Sequence, residues 1–168
     1  MNRGLLRIFD ILIVIAFIAL LYILIEPQYK MAKISTKRRK LQANMFTVKA
    51  GIERYISFHR GKYPTNSQQI YENLAELVIP VNPYTNEKIE VSDLVQFKYD
   101  LPIYVKDRSL DGVNGKQTGK PGQIGVGFFI PIGEDSIPTK YGIIGFDENG
   151  KSLVIKEGDK KRVVVLIE

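Results

Sequence analysis

The feature that most constrains this chain is an unbroken apolar run, residues 11–25, in which Tyr22 carries the only polar tip. A helix that is apolar on every side must be covered by a protein core or by lipid. At 1.5 Å per residue the run rises about 23 Å, short of a hydrocarbon core of ~30 Å. Starting at Leu5 lengthens it to about 31 Å and brings Arg7 and Asp10 into the span. Arg7 reaches the interface by snorkelling. Asp10 has no such escape, and a carboxylate at that depth costs a few kcal/mol unless its charge is compensated. Two partners are open to it: Arg7, one turn back on the same helix, or a group on a neighbouring subunit.

A cleaved secretory signal would need a small-residue cleavage site, and Ile25-Glu26-Pro27 offers none. The segment therefore reads as a retained anchor. Arg3, Arg7 and the α-amine precede it, whereas Lys30, Lys33, Lys37, Arg38, Arg39 and Lys40 follow it. Charge alone would leave the following domain in the cytoplasm. On a helix the four residues from Lys37 to Lys40 cover all sides, so they read as a solvated collar near lipid headgroups rather than one binding face.

Pro27 removes one backbone donor and is expected to kink the helix, not to end it. Beyond it Leu41, Met45, Val48, Ile52, Tyr55, Ile56 and His59 fall on one face at i, i+4, i+7 spacing. Gly61, with Pro64 close behind, supplies the stop. Residues 1–27 are thus expected as a transmembrane and assembly helix. Residues 28–168 form a soluble domain that includes the amphipathic continuation, whose stripe needs a sheet to pack on.

Charge divides along the same line. Residues 1–40 hold eight Lys/Arg and two acids, which accounts for the whole net charge of +6, and residues 41–168 hold sixteen of each sign. A neutral domain lacks the basic footprint that phosphate backbones require, so no nucleic-acid partner is expected. The chain has no cysteine and one histidine, which excludes thiolate metal sites and leaves little for zinc or Ser-His-Asp chemistry. His59 reads as a packed or capping residue at the helix end.

Thr65-x-x-Gln68 resembles a capping box opening a short helix to about Ile79, with Leu74, Leu77 and Val78 as its buried side and Pro80 ending it. Strands are expected over 95–99, 124–130, 141–146, 153–156 and 163–167, and Asp147-Glu148-Asn149-Gly150 joins two of them as a hairpin. The terminal run from Val163 to Ile167 is apolar on both faces and reads as a central strand. The fold class is α+β: a long N-terminal transmembrane-plus-amphipathic helix packed on a small antiparallel β-sheet.

Catalytic motifs fail on inspection. Gly119-Lys120 suggests a phosphate loop, but Asn114 stands where that motif needs glycine and Pro121 where it needs Ser or Thr. Asp107, Ser109 and Asp111 alternate like the first oxygen ligands of a calcium loop, yet Thr118 occupies the place of the closing glutamate. They are the candidate calcium ligands, with a solvated loop as the alternative. No other cofactor and no enzyme activity is expected.

The order of several short motifs resembles one family. Residues 11–16 running to Pro27-Gln28-Tyr29 are similar to the N-terminal helix of type IV pilins and type II secretion pseudopilins. Gln42-Ala43-Asn44-Met45 with Thr47-Val48, then Gly61-Lys62-Tyr63-Pro64-Thr65, resembles the helix end and first turn of the major pseudopilin group. So do Asn82-Pro83-Tyr84-Thr85, Gly122-Gln123-Ile124-Gly125, and Tyr141-Gly142-Ile143-Ile144-Gly145-Phe146 with Asn149-Gly150-Lys151. The resemblance implies a pilin-like fold and a bacterial filament subunit, single-pass in the inner membrane with its domain on the periplasmic or extracellular side. It implies copies of itself and other pilin-like subunits, an inner-membrane assembly platform and membrane lipid as partners. A prepilin peptidase would cut between Gly4 and Leu5, the new N-terminus would undergo the family's methylation, and Asp10 would take the place of the family's assembly glutamate. The chain reads Gly4-Leu5-Leu6-Arg7-Ile8-Phe9-Asp10 where the family reads G-F-T-L-I-E. An anchored accessory or binding protein of the cell envelope that never polymerises is the alternative.

Overall fold

The apolar run and the amphipathic stripe belong to one helix, α1 (Arg3–Phe58), and Pro27 lies inside it. The ion pair of Glu26 with Lys30, 2.6 Å long, brackets the proline. The computed structural model describes residues 3–99, 116–129 and 140–167. After α1 come α2 (Ser67–Ala75), a 3₁₀ turn (Val91–Asp93), β1 (Leu94–Tyr99), β2 (Ile124–Phe129), β3 (Lys140–Gly145), β4 (Val154–Glu157), β5 (Lys160–Val163) and β6 (Val165–Ile167). The chain divides into two compact units, Met1–Thr36 and Lys37–Glu168.

In the second unit the periodic stripe does what its spacing demands. Leu41, Met45, Val48 and Ile52 are completely buried and share one core with Ile124, Val126 and Phe128 of β2 and Tyr141 and Ile143 of β3. Close approach of helix to sheet depends on Gly145, where an added Cβ would stand 2.9 Å from the Met45 sulfur. The helix stops as the sequence indicates. Gly61 takes a left-handed φ of 83°, and its N–H donates to the Ile56 carbonyl at 2.9 Å, closing orphan helix carbonyls. His59 caps from outside the core: Nδ1 lies 2.8 Å from the Tyr55 carbonyl and its ring stacks on Tyr55 at 3.8 Å.

Four details depart from the sequence reading. The four-stranded sheet has the order β1-β2-β3-β6, antiparallel across β2–β3 and β3–β6 but parallel at β1–β2. Parallel neighbours need a long connection, which residues 100–123 provide. The 163–167 run is not a central strand. Val164 donates its N–H to Leu153, which splits the run into the end of β5 and β6, and β6 lies at a sheet edge. The turn at 147–150 forms, closed by a Phe146–Ser152 bridge, but the chain beyond it enters the separate two-stranded β4–β5 sheet. Finally, α2 is shorter and shifted by one residue. Asn66, not Thr65, accepts from the Gln69 N–H, and the Gln69 carboxamide accepts from the Thr65 N–H. Only Ile70 and Leu74 of this helix are buried, and Leu77 and Val78 beyond its end are exposed.

Candidate functional site

Residues 11–25 are exposed at every position, the reverse of what a soluble fold does with isoleucine, leucine and phenylalanine. Among the described residues this is the one helix long and apolar enough to cross a membrane. A helix suits that environment because it satisfies its own backbone polar groups where no water can. Gly4, Leu5 and Asp10 lie in the N-terminal turns of α1. Asp107, Ser109 and Asp111 lie outside the described residues.

A polar cluster stands at the start of the second unit. Arg38 donates from Nε to Glu148 at 3.1 Å and from Nη2 to both Glu148 and Asp147. Tyr84 donates its hydroxyl to the same Glu148 carboxylate at 3.3 Å. Lys37 sits 5.3 Å above the Tyr84 ring, within cation–π range. Asp147 is buried and organises the turn itself, accepting from the N–H groups of Asn149 at 2.9 Å and Lys151 at 3.1 Å. The cluster fastens three remote pieces of chain: α1, the loop at Tyr84 and the turn after β3.

Charge states follow from these contacts. The hydrogen bond with Glu148 raises Arg38 above its ordinary value, against the lowering effect of burial. Burial alone would raise Glu148, but the Arg38 hydrogen bond and charge, with the Tyr84 hydroxyl, hold its carboxyl below the usual range. The Tyr84 phenol is pushed well up, first by burial and then by the Glu148 charge. The arrangement is a locked ion pair with a neutral phenol.

The sequence places Arg38 in a solvated collar, and that holds for its neighbours Arg39 and Lys40, which are exposed. Arg38 and Lys37 are instead drawn to the domain. The signal for this was faint: Asp147-Glu148 reads locally as turn chemistry, and its partner lies 110 residues away. Among the described residues no group of three or more His, Cys, Asp or Glu is placed to hold a metal ion. No protein-family model, curated protein or solved structure matches the chain.

Proposed function

We propose that this chain is a structural, non-catalytic subunit of a pilin-like filament, a type II secretion pseudopilus or a type IV pilus, that assembles through α1. The observation that carries this reading is the division of one helix into an all-round apolar length, exposed at residues 11–25, and a length whose apolar stripe the chain's own sheet already covers. The ordered family motifs add the bacterial inner membrane, a domain on its periplasmic or extracellular side, and removal of residues 1–4 by a prepilin peptidase. Asp10 then receives the α-amine of a neighbouring copy, which removes the cost of an uncompensated charge in a low-dielectric environment.

The test compares membrane level with filament yield for Asp10→Ala and Asp10→Glu in expressing cells, with electron microscopy of sheared surface material. Both variants insert normally. Asp10→Ala abolishes filaments because the neighbour's amine loses its partner, and Asp10→Glu retains them. Membrane-bound protein that never yields filaments, with wild-type sequence and the assembly machinery present, would leave a non-polymerising envelope protein as the better account.

A further inference from the structure

We propose that the soluble unit docks edge to edge on a second copy of this chain: the basic β4–β5 hairpin of one copy seats on the surface around Leu77, Val78 and Val81 of the next. The proposal rests on the filament reading and names the lateral contact within it. Its starting point is charge. The soluble part is neutral overall, but residues 72–93 carry five acids and one lysine, whereas residues 151–162 carry five bases and two acids. The overall neutrality therefore includes two segments of opposite sign.

The fold joins these segments to opposite edge strands of the sheet β1-β2-β3-β6: the acidic one leads into β1, and the basic one, a separate two-stranded hairpin, leads into β6. On the acidic side, the 3₁₀ turn runs directly into β1, α2 packs beside that strand, and Ser67 of α2 donates its hydroxyl to the Leu94 carbonyl at 2.8 Å. On the basic side, β5 passes through Val164 into β6, and Leu153 donates to the Gly145 carbonyl at 2.7 Å. Among the described residues no ion pair joins Glu87 or Glu90 to Lys156 or Lys161.

Each surface carries a second sign of an absent partner. In the hairpin Lys156 stands directly opposite Lys161. Both are exposed, and like charges so placed repel. A carboxylate arriving from outside relieves that repulsion. On the acidic side Leu77 is 42%, Val78 71% and Val81 48% exposed. Glu87 is placed beside Val81, because the next residue, Asn82, donates its N–H to the Glu87 carbonyl at 2.8 Å. Glu76 is already tied to Arg54, but Glu87 and Glu90 are exposed and make no ion pair among the described residues. An apolar centre with a charged rim is the composition of an interface, and lysine stems are suited to cover aliphatic side chains while their ammonium groups reach the rim. The two surfaces differ, so the contact is heterologous and leaves one free face at each end. Repetition gives an open array rather than a closed dimer.

The chain has no cysteine, which makes cross-linking clean. Full-length chain carrying Val78→Cys and Lys156→Cys, oxidised in its native membrane, gives a ladder of dimers, trimers and higher species, whereas each single variant stops at dimers. Adding Lys161→Glu lowers the ladder about tenfold, and Glu87→Lys with Glu90→Lys restores it, because opposed charges across a contact are being exchanged. The rescue separates lost docking from lost folding. A ladder that is absent, or indifferent to both charge reversals and to salt at about 0.5 M, overturns the proposal. Filaments that persist through the reversals would overturn this contact alone, while a charge-dependent ladder without filaments would support it and remove the filament reading.

Discussion

Residues 11–25 and residues 41–56 belong to the same helix and are both rich in aliphatic side chains, yet their fates differ. The first are exposed throughout, while in the second Leu41, Met45, Val48 and Ile52 are fully covered. The difference lies in period rather than in hydrophobicity. A stripe at i, i+4, i+7 leaves a polar back, so a single sheet can cover it and water can take the rest. A run apolar at every position cannot be satisfied by one sheet face. The helix thus has one length long and apolar enough to cross a membrane and one that the chain's own sheet covers, and the stability of the domain should depend on the second alone.

Removing residues 1–36 tests that division most severely. The remaining residues 37–168 should leave the membrane fraction and stay soluble and folded, since their apolar stripe is already covered. An insoluble or unfolded fragment would show that the second unit depends on the first. Next in size is a buried charge. Met45→Asp should unfold the domain, since an unpaired carboxylate in the core costs several kcal/mol. Ile18→Asp should leave the domain's melting temperature unchanged and weaken membrane retention. Equal effects from the two substitutions would erase the contrast between the regions.

Truncations sharpen the comparison on a smaller scale. Ile52→Ala should cost the domain about 2–5 kcal/mol in urea unfolding, whereas Ile18→Ala should change it by less than about 0.5 kcal/mol. At the helix end, Gly61→Ala should cost about 1 kcal/mol, because alanine is strained at a left-handed φ while open space surrounds the position. Asn at the same site should recover part of the loss.

The smallest effect concerns pH. Glu148 is held below its ordinary value of 4.5 in the folded domain. A depressed carboxylate contributes stability that is fully present above the unfolded pKa and is lost as pH falls through the folded one. Stability should therefore be level above about pH 5.5 and decline below 4.5. Glu148→Gln should flatten its share of the decline, worth less than about 1 kcal/mol for a part-exposed pair. An unchanged acid limb in Glu148→Gln would show that the cluster positions the turn without electrostatic gain.

Local chemistry was legible wherever it acts over a few residues. The apolar run, the core stripe from Leu41 to Tyr55 and the Gly61 stop each follow from period or backbone sterics, and the structure places them where the sequence does. The capping box was legible in kind and shifted by one residue, because Thr65 and Asn66 both offer a side-chain oxygen and only the bonding geometry chooses between them. Leu77 and Val78 were misread because helical spacing says nothing about whether a surface exists to meet them. Their exposure, unwelcome to a sequence pattern, is what marks the proposed docking face.

What the sequence alone determined is one helix that is apolar on every side over residues 11–25 and amphipathic beyond, with the α+β class and the buried face of the helix. Only the tertiary structure decided that β1 pairs parallel to β2, that the terminal valines split into two strands with β6 at an edge, that Arg38 leaves its basic neighbours for Asp147 and Glu148, and that the acidic and basic segments lead into opposite edge strands. The physical reason is range. Caps, periods and left-handed glycines are settled by neighbours within a turn or two, whereas strand order and ion-pair choice are settled by which distant segments share a core. A local pattern constrains those outcomes and does not choose among them.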